Sequence, residues 1–123
     1  MKLFLLIAAI IAAIFGLGFL LLPVFTLNFY AVDLSQDIHA QFLTRYGGSA
    51  ILGWAVAWFL ARGAKTYEDL KKAGLLGGLV VGVTGLVVGL MNALAGVTNA
   101  FVWINPVIYL FLTVGFGWFY FKK

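Results

Sequence analysis

Four long apolar runs, joined by short connections, constrain this chain more than any other feature. A transmembrane helix needs about 20 mostly apolar residues, so four helices would use most of the 123 residues and leave no room for a second domain. The predicted spans are 3–22, 41–61, 74–97 and 105–121. The sequence therefore predicts an all-α polytopic membrane protein, with one membrane domain over 1–123 that folds as a compact bundle of four transmembrane helices.

Composition excludes the main soluble classes. Hydrophobic residues make up 64% of the chain and charged residues only 10%, whereas a soluble domain carries about 25% charged residues. This excludes a soluble enzyme, a disordered tail and a nucleic-acid-binding module, so no nucleic-acid partner is expected. Cysteine is absent, which excludes disulfides and thiolate metal sites.

The first apolar run is also where a signal peptide must be considered. The apolar core of a signal peptide has about 7–15 residues and is followed by a small-residue cleavage site. Here the run over 3–22 is longer and ends in Leu-Leu-Leu followed by Pro23. We therefore expect an uncleaved first span.

The connections differ in character. Segment 23–40 mixes aromatic and polar residues, as expected for an outer interfacial segment. Segment 62–73 is hydrophilic and predicts a cytoplasmic loop, while Thr98 and Asn99 predict a short turn.

Three residue pairs have the form of signals for the start of a helix. The pairs are Asp33 with Gln36, Thr66 with Asp69, and Asn105 with Pro106. The first pair predicts that the second helix begins near Leu34. The other two predict caps for the third and fourth spans.

The basic residues predict the orientation. With four spans, seven of the eight basic residues fall on one side: Lys2, Arg62, Lys65, Lys71, Lys72, Lys122 and Lys123. Arg45 lies on the other side. Basic residues in short loops stay cytoplasmic, so both termini are expected in the cytoplasm, most simply of a bacterial inner membrane. This bias also argues against the dual insertion used by antiparallel small exporters and fluoride channels.

Six glycines follow a helical period on the third span and fall within about 80° of its circumference. They are Gly74, Gly78, Gly82, Gly85, Gly89 and Gly96. Glycine lets a neighbouring backbone approach closely. Three interpretations stay open: tight packing within one bundle, a face for another chain, or a smooth wall along a substrate or pigment.

A polar stripe enters the second span at four-residue intervals through Asp37, Gln41, Arg45 and Ser49. Polar residues at similar depth on the third and fourth spans are expected to converge with it; these are Asn92, Asn105 and Tyr109. Three interpretations of Arg45 stay open. It is held by Asp33, Asp37 or loop carbonyls, it recognises a lipid phosphate or other anion through its guanidinium, or it extends to the interface without forming a site.

No catalytic set is evident, so an enzyme is not expected. The apolar runs contain no Asp or Glu for a proton relay, which also argues against a proton-coupled multidrug transporter. His39 is the single histidine; it is either a solvated interface residue or one axial ligand to a haem or chlorophyll. No metal site and no cofactor are predicted, and a bound lipid or pigment remains open.

Several short motifs lie along the chain: Leu22-Pro23, the aromatic segment 25–30, the sequence Arg45-Tyr46-Gly47-Gly48 and the following Gly53. In these motifs the chain resembles a broad group of small bacterial four-span inner-membrane proteins of unknown function. This resemblance supports the fold and implies no activity.

Two functions follow as expectations. The first is a non-catalytic accessory or assembly subunit of a membrane complex, or a self-associating scaffold, with lipids and other membrane subunits or further copies of itself as partners. The alternative is a small-molecule or ion pathway with an outward-facing site around Arg45.

Overall fold

The computed structural model describes residues 2–31, 33–96 and 100–122, and these residues form helices and short connections without a strand. The elements in chain order are α1 Lys2–Leu21, α2 Pro23–Asn28, α3 Ile38–Ala61, α4 Tyr67–Ala95, a 3₁₀ turn Ala100–Trp103 and α5 Ile104–Phe121. The predicted all-α fold is confirmed.

Three helical segments in the described residues are long and apolar enough to cross a membrane, as expected of an integral membrane protein. They are Lys2–Leu21, Tyr67–Ala95 and Ala100–Phe121. α3 has 24 residues, about 36 Å at 1.5 Å per residue, which exceeds the hydrocarbon thickness of about 30 Å. It does not meet the same hydropathy criterion because its first half carries Gln41 and Arg45. The second span therefore stays a prediction.

The long helices form an open row in the order α1, α3, α4, α5. α3 packs against α1 and α4, and α5 packs against α4. Over the described residues, α1 makes no close backbone contact with α4 or α5. The predicted helical bundle is thus present, as a row of helices that does not close on itself in the described residues. Its four-span form stays a prediction. α5, at one end of the row, has only 6% of its span residues buried.

The start of α3 differs from the prediction. Its N-cap is Asp37, whose carboxylate accepts the Ala40 backbone N–H at 3.0 Å. The predicted cap Asp33 instead accepts the Ser35 N–H at 2.9 Å in the preceding turn, and hydrogen bonds from Ser35 lower the pKa of that carboxyl. Both aspartates precede helix-forming sequence, so the cap could not be assigned from spacing alone.

Segment 23–40 is also more ordered than predicted, because it contains α2. Pro23 lies at the first position of this helix, where a residue without an N–H loses no hydrogen bond. The proline that ends the first span thus begins a short helix. Further along, the Gln41 side chain donates to the Leu34 carbonyl at 2.7 Å and ties the segment to α3.

The predicted cap of the next helix is confirmed. Thr66 and Asp69 form a reciprocal capping box. Because α4 then begins at Tyr67, the predicted loop 62–73 is too long; only 62–66 precede the helix, and the remaining residues form its first two turns. α4 ends at Gly96, whose φ of 67° is a left-handed conformation that favours glycine.

The predicted cap at Asn105 is wrong. The 3₁₀ turn runs directly into α5, which begins at Ile104, so Asn105 is already helical and Pro106 lies in the first turn. Trp103 occupies the cap position without a side-chain hydrogen bond. Proline is accepted there because first-turn N–H groups have no helical partner. The predicted turn at Thr98 and Asn99 lies outside the described residues.

Replacing the observed cap should loosen the first turn of α3. Asp37→Ala removes the acceptor of the Ala40 N–H and should cost about 1 kcal/mol, seen as amide exchange about fivefold faster at residues 38–41. Asp33→Ala is the matched control and should leave those amides unchanged. If only the Asp33→Ala variant exchanged faster at residues 38–41, Asp33 rather than Asp37 would be the cap of α3.

Candidate functional site at the α3, α4 and α5 contacts

Four of the six glycines in the predicted stripe lie against α5. A Cβ placed on Gly82 would lie 2.8 Å from the Thr113 backbone nitrogen, and one on Gly89 would lie 3.1 Å from the Pro106 nitrogen. Gly78 and Gly85 meet the rings of Phe116 and Tyr109. The α4 backbone therefore approaches α5 too closely for side chains at these positions.

The other two glycines of the stripe, Gly74 and Gly96, have no such neighbour. A Cβ at either would meet nothing within 4 Å in the described structure. The stripe is thus divided between four positions covered within the chain and two open positions near the ends of α4.

Close approach also occurs at the other two helix contacts of the row. A Cβ on Gly16 of α1 would lie 2.8 Å from the Leu52 nitrogen of α3, and one on Gly77 would lie 2.7 Å from the Gly53 carbonyl oxygen. Gly77 was missed by the predicted stripe. It directly precedes Gly78, and the 100° turn between neighbouring residues directs the two glycines to different partners.

The covered and open glycines predict different responses to a methyl group. Gly82→Ala should lower the free energy of unfolding of the monomer by about 1–3 kcal/mol, because backbone atoms of α5 must move. Gly74→Ala is the control and should be neutral or slightly stabilising, because alanine favours a helix over glycine. Unfolding of both variants in detergent measures this difference. The prediction would be contradicted if Gly82→Ala abolished an oligomer while the free energy of unfolding of the monomer stayed unchanged.

The deepest polar side chain, Ser49, belongs to the packing between α3 and α4. It is fully buried; its Oγ lies 2.5 Å from Thr84 Oγ1 and 3.2 Å from the Val81 carbonyl oxygen. Thr84 in turn donates to the Val80 carbonyl at 2.7 Å. Hydrogen bonds of this kind between membrane helices contribute about 0.6 kcal/mol on average. Ser49 is therefore satisfied without a ligand.

Arg45 has a different environment. It is half-buried, and within the described residues no hydrogen bond or ion pair engages its guanidinium. The acids expected to hold it are used elsewhere, since Asp37 caps α3 and Asp33 binds Ser35. The expected pairing of Arg45 with these two carboxylates is thus not present in the described part of the chain.

Two further polar atoms at this end of the row have no partner in the described structure. Asn92 is 8% exposed, and its Oδ1 is enclosed without a hydrogen bond. The Tyr46 hydroxyl is likewise enclosed and unpaired, while its ring stacks on Tyr109 with centroids 5.6 Å apart and planes 6° apart. Tyr109, one of the residues predicted to converge, thus lies against Tyr46 of α3, which was not among them. Asn105 is half-buried in the first turn of α5.

Sequence reasoning did not select Tyr46 or Thr84. Tyr46 precedes Ser49 by three residues, which places both on one face of α3; that spacing was the available signal. Nothing in the sequence pairs Thr84 with Ser49, because the register between two antiparallel helices depends on their packing.

Substitution can separate the contribution of the stacked Tyr46 ring to stability from that of its unpaired hydroxyl. Tyr46→Phe keeps the stacked ring and removes an unpaired buried hydroxyl, so the free energy of unfolding should stay constant or rise by about 1 kcal/mol. Tyr46→Leu should lose about 0.5–1.5 kcal/mol beyond its change in buried area, because the stack is lost. A clear loss in Tyr46→Phe would show that the hydroxyl has a partner outside the chain.

The remaining candidates lie on the surface. His39 is exposed in the first turn of α3, and the described residues contain no group of three His, Asp or Glu side chains that could hold a metal ion. Trp54 and Trp58 stack with centroids 6.0 Å apart and are 58% and 37% exposed. They form an aromatic patch on the second half of α3.

The arrangement offers hydrogen bonding and packing rather than acid–base chemistry. Arg45 supplies donors, Asn92 supplies an acceptor and Tyr46 can be either, while no carboxylate or imidazole joins them in the described residues. No family model, curated protein or solved structure matches this chain.

Proposed function

We propose that this chain is a non-catalytic assembly protein of the bacterial inner membrane, either an accessory subunit of a larger membrane complex or a self-associating scaffold. In this proposal α3 also crosses the bilayer, so the chain has four spans and both termini in the cytoplasm. The partner is another membrane helix that covers the open side of α3.

The observation that carries this proposal is the position of α3. α3 is the one long helix in the described residues that does not meet the hydropathy criterion for a span, yet it lies inside the row. Its neighbours cover it on two sides only, and the Trp54–Trp58 patch stays exposed. Arg45, nine residues before Trp54, lies on the opposite side of α3, so the exposed aromatic patch is what supports a partner on the open side.

The contacts along the row support the orientation. Gly16 meets Leu52 and Gly48 meets Leu20, so α1 and α3 run antiparallel. The other neighbouring helices also run antiparallel, so the start of α1, the connection from α3 to α4 and the end of α5 lie together. The described basic residues other than Arg45 therefore share one end of the row, which the positive-inside rule assigns to the cytoplasm.

A pathway remains the second candidate because Arg45, Tyr46 and Asn92 lack partners in the described residues. Such a pathway needs a wall on every side, and an open row provides one only after association. Both the assembly protein and the pathway therefore require association. They differ in whether the associated form holds a partner in place or conducts a small molecule or ion.

Two glycines with open space allow a matched crosslinking test in this cysteine-free chain. Gly47 lies on the Trp54 face of α3, seven residues earlier, and Gly115 lies on α5; a Cβ at either meets nothing within 4 Å. Gly47→Cys should crosslink to itself or to another membrane protein in native membranes, whereas Gly115→Cys should not. Denaturing electrophoresis and mass spectrometry identify the adduct.

Equal crosslinking at both positions would indicate random collision and contradict the proposal. So would a purified monomer that conducts an ion in liposomes and loses that conductance in Arg45→Leu, which would establish the pathway instead.

A further inference from the structure

An apolar groove lies where α1 and α4 flank α3. It encloses about 280 Å³ and is lined only by apolar side chains, among them Ala9 and Ala13 of α1, Phe59 and Leu60 of α3, and Leu76 of α4. Along α3 it extends from Leu52 to Leu60, about 12 Å at 1.5 Å per residue. This approaches the depth of one leaflet of hydrocarbon, about 15 Å.

A second, polar pocket of about 290 Å³ continues from the groove toward the basic end of the row. The two share Leu60, and the polar pocket adds Lys72, Asp69 and Tyr120. Lys72 lies four residues before Leu76, so both belong to one stripe of α4. The apolar groove and the polar pocket therefore form one elongated depression with an apolar and a charged end.

An acid and a base, Asp69 and Lys72, line the polar pocket. The Asp69 carboxylate is engaged by the backbone N–H groups of Lys65 and Thr66, at 2.9 and 3.2 Å, as part of the helix cap. Lys72 is near enough to the Asp69 carboxylate for an electrostatic attraction, but among the described residues it forms no direct ion pair. The pocket thus contains one acid held in a helix cap and one ammonium group without a direct ion-pair partner.

Arg62 adds a second cation beside the groove. Its guanidinium carbon lies 4.2 Å from the centre of the Phe59 ring, which lines the groove. Its Nε is enclosed and has no hydrogen-bond partner in the described structure. Stacking holds the guanidinium in place, and no described residue accepts a hydrogen bond from its terminal N–H groups, the donors that suit a phosphate. With Lys72, Arg62 gives the region two positive charges against the negative charge of Asp69.

We propose that this depression binds one anionic phospholipid from the leaflet at the basic end of the row. One acyl chain lies along Ala13 and Leu76, and the phosphate lies between Arg62 and Lys72. Neither the proposed assembly function nor the Arg45 region is required for this site.

Two neighbouring lysines provide the test of the headgroup contact. Both side chains are exposed, but only Lys72 lines the pocket. The full chain in detergent is titrated with dioleoylphosphatidylglycerol, and native mass spectrometry measures the bound lipid. Lys72→Gln should weaken binding about fivefold, the effect of one basic contact at a membrane surface, while Lys71→Gln should change it less than twofold. Equal losses of lipid binding in the two variants would show that the lipid responds only to the overall surface charge, and would overturn the proposal.

Two alanines of α1 provide the test of the acyl chain. Ala13 lines this groove, while Ala8, equally half-buried, lines a groove on the other side of the α1–α3 pair. Ala13→Leu should reduce phosphatidylglycerol binding at least threefold, and Ala8→Leu should leave it unchanged. Circular dichroism confirms that each variant is folded. An unchanged Ala13→Leu would contradict the groove assignment.

Two further ligands separate the lipid from other sources of the same chemistry. Dioleoylphosphatidylcholine, with the same chains, should bind at least fivefold more weakly than phosphatidylglycerol. Inorganic phosphate at millimolar concentration should not displace the lipid. Displacement by phosphate alone would indicate a soluble-anion site and overturn the lipid assignment, as would equal binding of the two lipids.

Discussion

Close approach of helix backbones is the constraint on which the rest of this structure depends. Lipid tails are as apolar as leucine, so helices in a bilayer gain little from burying large side chains against each other and associate through packing and hydrogen bonds instead. Each contact in the row uses glycine accordingly, with Gly16 against α3, Gly53 against α4 and Gly82 against α5. The Ser49–Thr84 hydrogen bond is possible only because α3 and α4 come this close.

The same constraint explains why the large side chains point outward. The buried hydrophobic residues are mostly alanine, and the few larger ones include Leu20, Phe42 and Val88, which form a small cluster. Phenylalanine, leucine and isoleucine dominate the exposed surface. Such a surface is unsuited to water and suited to lipid or to other apolar helices, so the packing of the row and its need for a membrane have one cause.

Helix content and one helix cap could be predicted from the sequence because both depend on local pattern. Thr66 with Asp69 was recognisable because the two side chains act within one turn. Asp37 was not, because Asp33 offers the same signal and tertiary context decides between them. The packing partner of each helix could not be predicted either. Glycine spacing shows which face of a helix packs closely, but it does not show which other helix packs there. Gly77 and Gly78, adjacent in sequence, face α3 and α5 respectively.

Both ends of the row hold polar atoms that the described residues leave unsatisfied. At the basic end, the capping box of α4 is complete, but the Arg62 Nε is enclosed without a partner in the described structure. At the other end, the Asn92 oxygen and the Tyr46 hydroxyl are enclosed without partners in the described residues. An unpaired buried polar atom costs about 1–3 kcal/mol, and Ser49 shows that the α3–α4 contact can satisfy hydroxyls where it is complete. The two enclosed, unpaired atoms at the Arg45 end therefore favour a row that is completed there from outside the chain, as the proposed assembly function requires.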